Sequence, residues 1–399
     1  MKNITDRLSL AACTLISCSV QQVHSEKSDW DIDFSYLYYK EADDRVNVNK
    51  LITKIYSYLS DADRVSALFV LDTMSGATPS GAIRDSNPNT TTGASEITDI
   101  AKFNDTRLAM NFSWEHDKNR KQTYIYNGNI SVENDYQSYG GGFIFNHTND
   151  KITTYTSQIA ASYNIVARRS GGTPEPLSPT NINSSLSEGI KYTFDGMFGM
   201  SKILNRRTII ELNLSLGYSI GYLNDPYKVI SLTQPYIDAN NLTYGLTETG
   251  RYYEARPDAR VRSSIYTSMA HQYGGRNEVI HFSYRFYADD WDITAHTIEF
   301  KHRKPLNLGD NGYIEPHIRL HSQTSAIFFK HSISDNGDTL PEYASADYRL
   351  DAMQGITAGL TFGLGRFRTH LEYIIQNYEK SEYGQNKALV LQFSYQKIF

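Results

Sequence analysis

Residues 209–220 read IIELNLSLGYSI, and side-chain character alternates along them with a period of two. The odd positions carry mainly Glu, Asn, Ser and Gly. The even positions are all apolar or aromatic: Ile210, Leu212, Leu214, Leu216, Tyr218 and Ile220. Because successive side chains of a β-strand point to opposite faces, this stretch predicts a strand with one apolar and one polar face.

The same alternation recurs along almost the whole chain and predicts sixteen strands. Their predicted lengths exceed the five or six residues typical of soluble sheets and suit a tilted bilayer crossing of about 9–11 residues. Alternation alone would also fit a half-buried soluble sheet. The predicted strands are 31–40, 47–59, 64–73, 106–116, 121–133, 136–147, 152–166, 187–203, 207–222, 258–272, 278–290, 293–303, 313–329, 346–363, 366–378 and 387–399.

The connections between these strands alternate in length. Every second connection is short, as at 60–63, 117–120 and 364–365, whereas long ones fall at about 74–105 and 223–257. Short turns at one rim and long loops at the other are typical of bacterial outer-membrane barrels. We therefore predict an all-β, transmembrane antiparallel β-barrel of 16 strands, with 14 or 18 as alternatives, with long extracellular loops and short periplasmic turns.

Composition excludes several other classes. The 399 residues have a mean hydropathy of −0.48 and no apolar run long enough for a transmembrane helix. The net charge of −5 argues against a nucleic-acid partner, which would require a basic patch. Both cysteines, Cys13 and Cys18, precede the first predicted strand, so the barrel is expected to contain no disulfide and no thiol site.

The chain begins with a basic start followed by a short apolar stretch, which predicts a secretory signal peptide at 1–25 and a single barrel domain at 26–399. An alternative is that 15–18 (LISC) is a lipobox, which would leave Cys18 lipidated. The terminal aromatic Phe399 ends an amphipathic strand and is expected to be read by the barrel assembly machinery. These features together predict the outer membrane of a Gram-negative bacterium, with its lipid as surroundings.

Six distinctive blocks occur in order along the chain: 71–82 (LDTMSGATPSGA), 225–230 (DPYKVI), 254–260 (EARPDAR), 284–291 (YRFYADDW) with 295–299 (AHTIE), 316–319 (PHIR) with 322–326 (SQTSA), and 346–350 (ADYRL). Together these blocks resemble one bacterial family, domain-of-unknown-function family 3570, over essentially the whole mature chain. The resemblance implies an outer-membrane protein without an assigned activity and without catalytic residues to transfer. It also implies an envelope setting near a lipoprotein and near redox or flavin-handling proteins.

The inward faces of the later strands are strongly charged. Residues at i and i+2 share a face, so these groups are expected to line one lumen. They could form a charged constriction that selects solutes, or a network of paired charges that holds the wall rigid. The lumen-lining candidates are Arg260, Arg262, Arg285, Glu299, Lys301, Glu315, His317, Arg319, His321, Arg368, His370 and Glu372.

Sequence spacing gives no support for a metal site or a cofactor. His317 and His321 are about 13 Å apart along one strand, too far for one ion. Asp289, Asp290 and Asp347 are acidic candidates at the outer rim, where paired carboxylates would bind calcium or act as acid and base. A solvated turn is the favoured alternative for them, and no nucleophile motif is present.

The leading functional hypothesis is a pore or transport channel for small polar solutes. The alternative is a closed scaffold barrel that works with a periplasmic redox, flavin-handling or lipoprotein partner, and an enzyme is the weakest class. The long loops 74–105 and 223–257 are expected to fold into the mouth as a plug. Deleting 234–248 should then raise the ion conductance.

Overall fold

A computed structural model describes residues 30–43, 45–83, 100–168, 171–182, 185–238, 243–274, 278–309, 311–337, 339–381 and 383–398. The predicted signal peptide with Cys13 and Cys18, and the terminal Phe399, lie outside these residues. Among the described residues, no helix has both the length and the apolar character needed to cross a bilayer.

Sixteen strands of 11 to 20 residues form a closed antiparallel barrel, which confirms the predicted fold and strand number. Each strand pairs with its neighbours in the chain, and β1 closes the barrel by pairing with β16 from Asp31↔Ile398 to Glu41↔Ala388. The strands are β1 Trp30–Glu41, β2 Val46–Tyr58, β3 Asp63–Pro79, β4 Ile100–Asn119, β5 Gln122–Val132, β6 Tyr136–Asn149, β7 Thr153–Val166, β8 Gly189–Asn205, β9 Thr208–Gly221, β10 Ala259–Tyr273, β11 Glu278–Asp289, β12 Thr294–Pro305, β13 Tyr313–Gln323, β14 Met353–Leu364, β15 Phe367–Tyr378 and β16 Gln385–Ile398.

The register places apolar side chains together on the outer face. Leu71 on β3 pairs with Leu108 on β4, and 44% and 60% of these two residues is exposed. Leu214 and Leu216 on β9 are exposed in the same way. A continuous outward apolar band is what a barrel needs where it faces lipid, while the alternate residues point into the lumen.

The two rims differ, as predicted. One rim, here the short-turn end, carries tight connections such as 120–121 between β4 and β5 and 365–366 between β14 and β15. The opposite rim, the long-loop end, carries the connections 222–258 and 324–352. A hairpin of Val229–Asp238 and Thr243–Tyr253 projects from the first of these loops, and Ile333–Ser334 of the second adds to it in parallel.

Two predicted strands were too long at the long-loop end. The stretch 324–329 leaves the barrel after β13, and 346–352 forms part of a loop with a 3-10 turn at Tyr348–Leu350. Phe328 and Phe329 are consecutive and both buried, which a two-faced strand does not allow. The stretch 324–329 was mistaken for strand because it is mostly apolar, and 346–352 because apolar and charged residues alternate along it. Residues of both stretches pack together in a small core on top of the barrel.

Candidate functional site at the long-loop end

The loops at the long-loop end pack into a compact layer, here called the cap: residues 80–83, 222–258, 324–352 and 379–384, in their described parts. Two apolar clusters hold it. Trp291, in the turn after β11, packs edge-on against Phe328 with ring centroids 5.1 Å apart, beside Ile293 and Leu350. Ile230 forms the second cluster with residues of 333–346.

The cap crosses the mouth of the barrel. The ammonium group of Lys228, in the loop after β9, donates to the carbonyl of Pro79 at the end of β3, and the Val229 amide donates to the Ser80 carbonyl over 2.9 Å. Strands β3 and β9 are six positions apart around the barrel. Contacts between their extensions therefore span the opening.

Gly81 permits this close approach. Its φ is +101°, a conformation that L side chains rarely adopt, and a Cβ there would lie 2.3 Å from the carbonyl oxygen of Val229. The cap and the end of β3 thus fit together only with glycine at this position.

Six buried charged residues lie at the centre of the cap, and we call them the mouth cluster: Asp225, Lys228, Glu254, Arg256, Asp347 and Arg349. Three are acidic and three are basic. Arg256 Nη2 lies 2.8 Å from both Glu254 Oε1 and Asp347 Oδ2. Arg349 Nη2 lies 2.8 Å from Asp225 Oδ2 and 2.5 Å from Asp347 Oδ2.

Hydrogen bonds from the backbone and from hydroxyls complete the cluster. The Asp225 amide donates to Glu254 over 2.6 Å, and Ser345 Oγ donates to the other oxygen of Glu254 over 2.5 Å. Asp347 also caps the 3-10 turn by accepting from the Arg349 amide. Buried ion pairs of this kind are costly to break singly, because the remaining partner keeps its charge in a dry environment.

The pKa values in the mouth cluster move in opposite directions. Burial raises the pKa of Asp347, but the cations of Arg349, Lys228 and Arg256 more than offset this and hold it well below its usual range. Burial raises the pKa of Glu254, with Arg256 only partly countering it. Burial lowers the pKa of Lys228. Asp347 is therefore held firmly in its charged form, whereas burial makes Glu254 and Lys228 easier to neutralise.

A recess lies beside the mouth cluster, between the cap and the barrel wall. Tyr222, Arg256 and Arg349 line it, facing Lys191 and Tyr136 from the wall. Among the described residues, Tyr222 Oη, Arg256 Nε and Arg349 Nη1 have no hydrogen-bond partner. These three atoms are buried in the closed cap, and unsatisfied buried polar atoms are rare, so they mark places where the hydrogen bonding of the cap is incomplete.

The structure places every lumen-lining candidate on the inward face, opposite the apolar band. Arg260 and Arg262 lie on β10, Arg285 on β11, Glu299 and Lys301 on β12, Glu315, His317, Arg319 and His321 on β13, and Arg368, His370 and Glu372 on β15.

Most of these side chains are paired, either across strands or with a neighbour on the same strand. Glu299 Oε2 lies 2.8 Å from Arg319 Nη2, and Glu299 Oε1 lies 2.5 Å from Lys301 Nζ. Glu315 accepts from Arg303 over 2.7 Å. Arg285 instead lies over the ring of Tyr266, and His321 bonds to Thr297. The side chains of Arg303 and Arg319 remain 45% and 39% exposed. The ion-paired side chains of the mouth cluster are, in contrast, at most 12% exposed.

The three acidic candidates at the rim do not form a carboxylate pair. Asp289 is fully buried against Arg260, and it accepts from the amides of Trp291 and Ile293 in the turn. Asp290 accepts from the Val261 amide. Asp347 belongs to the mouth cluster. Asp289 thus fixes the turn that supports the cap. Its side chain is buried there, whereas a solvated turn residue was expected.

Sequence reasoning missed Lys228, Arg256 and Arg349 as site residues. All three lie in the blocks that carry the family resemblance, at 225–230, 254–260 and 346–350. The structure brings these blocks together in the cap, so the concentration of charged residues within them was the available signal.

Comparison with known proteins agrees with the barrel fold. A family model described as "Protein of unknown function (DUF3570)" matches residues 5–396. No curated protein matches the chain by sequence. A solved bacterial polysaccharide outer membrane secretin is similar with a TM-score of 0.50 and 9% identity, covering 94% of this chain and 100% of that one.

Two further solved barrels are more distant. OccK11 (OpdR) of Pseudomonas aeruginosa gives a TM-score of 0.43 at 8% identity, covering 94% of this chain and 98% of that one. A ferric enterobactin receptor mutant of Pseudomonas aeruginosa gives 0.45 at 8% identity, covering 89% of this chain and 54% of that one. The chain therefore aligns with about half the length of that receptor.

Proposed function

The chain belongs to the DUF3570 family, and from that premise we propose that it is an outer-membrane channel for small polar solutes whose extracellular mouth is closed by the cap. The observation that carries the proposal is a contrast in exposure. Arg303 and Arg319 in the lumen are 45% and 39% exposed, while the ion-paired side chains of the mouth cluster above them are at most 12% exposed. A wet, charged lumen under a dry lid is what a gated channel requires.

The polar solute class is supported by the lining. Charges of both signs point into the lumen, and the recess beside the mouth cluster is lined by Arg256, Arg349 and Tyr222, each of which has an unpaired polar atom that is buried while the cap is closed. An apolar solute would leave these groups unsatisfied, at a cost of about 1–3 kcal/mol for each. We propose that a polar solute docks in this recess as the cap moves aside.

The test is single-channel conductance of the refolded protein in planar bilayers. We expect wild type to conduct rarely, and an Arg256→Ala, Arg349→Ala double variant to show frequent, discrete openings. The matched control replaces 235–246, the outer part of the hairpin, with a short Gly-Ser linker. Pro235 and Ile237 there are exposed, and Glu248, which accepts from Ser231, is kept.

The expected result for this control differs from the expectation that deleting 234–248 raises conductance. The mouth is closed by the base of this loop, at 225–229 and 254–256, so trimming its outer part should leave conductance near the wild-type level. If the folded double variant is as silent as wild type, the channel proposal fails.

One observation favours a second function, a closed scaffold barrel with a periplasmic partner. The acidic residues Glu299, Glu315 and Asp195 on the described lumen wall all have a cationic partner, as expected for a wall built for rigidity. If wild type and the Arg256→Ala, Arg349→Ala double variant both show no conductance in bilayers, that result would support this second function. Crosslinking in envelopes would then identify the partner, for which a redox, flavin-handling or lipoprotein component is proposed.

Location and processing follow from the same proposal: the outer membrane of a Gram-negative bacterium, reached through the barrel assembly machinery, which would read Phe399. We propose removal of 1–25. Intact mass measurement of the purified protein decides this point, because cleavage after Ser25 and lipidation of Cys18 give different masses.

A further inference from the structure

Three potential metal ligands meet on the inner wall, although no two of them looked paired by spacing in the sequence. His317 lies on β13, and His370 and Glu372 lie on β15. The Nε2 atoms of both histidines are 2.9 Å from the same oxygen, Oε1 of Glu372. The ligand atoms all lie within 4.8 Å of one another.

The strand between them makes this meeting possible. Gly359 on β14 pairs with His317 on one side and with Glu372 on the other. A Cβ at position 359 would lie 2.2 Å from Cε1 of His317. Glycine therefore lets the imidazole of His317 cross over β14 to reach a residue two strands away.

The second histidine is held in orientation by a neighbour. Thr361 Oγ1 lies 2.7 Å from His370 Nδ1, which leaves Nε2 as the nitrogen that faces Glu372. Metal-binding histidines commonly engage their other ring nitrogen in such a bond, which fixes the tautomer. The two imidazole rings are stacked, with planes 7° apart and centroids separated by 5.3 Å.

We propose that His317, His370 and Glu372 form a binding site for a divalent first-row transition-metal ion, with zinc as the reference ion. Tetrahedral zinc with bonds of about 2.1 Å places its ligand atoms about 3.4 Å apart. The 2.9 Å separations from Glu372 Oε1 found here would therefore widen by about half an ångström to admit the ion. Two imidazoles and one carboxylate suit zinc, nickel, copper and iron better than magnesium or calcium.

The surrounding charges agree with this assignment. Arg319, a nearby cation, is bonded to Glu299 at 2.8 Å, so its guanidinium does not occupy the carboxylate of Glu372. His317 is buried, while His370 and Glu372 are partly open to the lumen. With three protein ligands, the remaining coordination positions face the lumen, where water or a passing solute can occupy them.

The test is equilibrium dialysis of detergent-solubilised, full-length protein without a histidine tag against Zn²⁺ at pH 7.5, with bound metal measured by mass spectrometry. We expect close to one ion per chain for wild type. His370→Gln and Glu372→Gln should weaken binding at least a hundredfold, and Thr361→Val about tenfold, because it removes only the orienting bond. His321→Ala is the matched control, a lumen histidine on the same strand as His317.

Each variant is checked for folding by its heat-dependent shift in gel mobility, so a loss of metal is not confused with a loss of the barrel. Equal zinc retention by wild type and His370→Gln would overturn the proposal, as would loss in His321→Ala to the same degree. Binding is measured without any current, so the metal site stands or falls separately from the channel.

Discussion

Arg349 Nη2 lies 2.8 Å from Asp225 Oδ2, and this ion pair joins two loops whose residues are 124 positions apart in the chain. The same guanidinium holds Asp347, two residues before it. One side chain therefore ties the loop after β9 to the loop after β13, and the closure of the mouth depends on it.

Replacing Arg349 with alanine should release the cap without unfolding the barrel. Asp225 would stay buried without this partner, at a cost of about 3–5 kcal/mol. We expect hydrogen exchange at 225–233 and 344–351 to rise at least a hundredfold, with the exchange of β9 and β13 unchanged. Arg366→Ala, at the exposed short-turn end, is the control. Unchanged exchange in the cap of Arg349→Ala would contradict the role given to this ion pair.

Gly81→Ala should displace the cap chiefly by steric conflict. The new methyl group would meet the Val229 carbonyl at 2.3 Å, in a loop that also has a positive φ. Gly171→Ala isolates the backbone strain, because Gly171 has a φ of +86° and nothing within 4 Å of its added Cβ. We expect faster protease cleavage of the cap in the first variant only. Equal cleavage in both would mean that strain, and not contact, is responsible.

The ion selectivity of the lumen should shift when Glu299 becomes glutamine. The carboxylate of Glu299 neutralises Arg319 and Lys301. In the glutamine variant both cations face the lumen without this negative charge. The reversal potential in a salt gradient, measured on the open double variant of the mouth cluster, should move towards anion preference. Glu188→Gln removes the same charge from an exposed loop and should leave the reversal potential unchanged. No shift for Glu299→Gln would place the conduction path elsewhere.

Acid should loosen the cap through Asp347. The pKa of this carboxyl is held well below its usual range in the folded cap, so its stabilising effect is complete above the ordinary aspartate pKa of about 4 and is lost as the pH falls below it. Glu254 opposes this trend, because its pKa is raised and protonation favours its buried state. The comparison of wild type with Asp347→Asn separates the two effects.

Pepsin, which is active in acid, reports the result. We expect cleavage of the wild-type cap to rise between pH 4 and pH 2 relative to an unfolded standard. Asp347→Asn should be cleaved readily and with a smaller rise at low pH, since Asp347 no longer titrates. The rise that remains is expected from Asp225, because the surrounding cations outweigh its burial and also hold the pKa of that carboxyl below its usual range. A parallel rise in the two proteins would remove Asp347 from the explanation.

The barrel was predictable from the sequence because its rule is local. In β9, the alternation from Ile210 to Ile220 alone defines which face meets lipid, and the same rule repeats in each strand. The cap follows no such rule. Phe328 and Phe329 are buried side by side, and Lys228 reaches Thr78 and Pro79 from 149 to 150 residues away. Pairing over such distances leaves no period to detect.

The cluster of His317, His370 and Glu372 was missed in the sequence for the same reason. Spacing within β13 compares His317 with His321, which are too far apart for one ion. The neighbours that matter lie across the sheet, on β15, and depend on the register of β14 and on glycine at position 359. Strand number could be read from alternation, but register could not.

The separation of contacts in the cap also sets an order of events during assembly. Most neighbouring strands join residues close in sequence, and the ion pairs of the mouth cluster join residues 91 and 124 positions apart. The seam between β1 and β16 joins far more distant residues, such as Ser35 and Ser394, which are 359 positions apart. Contacts between distant residues form late, because long loops must close first. By this measure the lid assembles before the last seam of the wall, so we expect a newly completed barrel to be sealed at its mouth already.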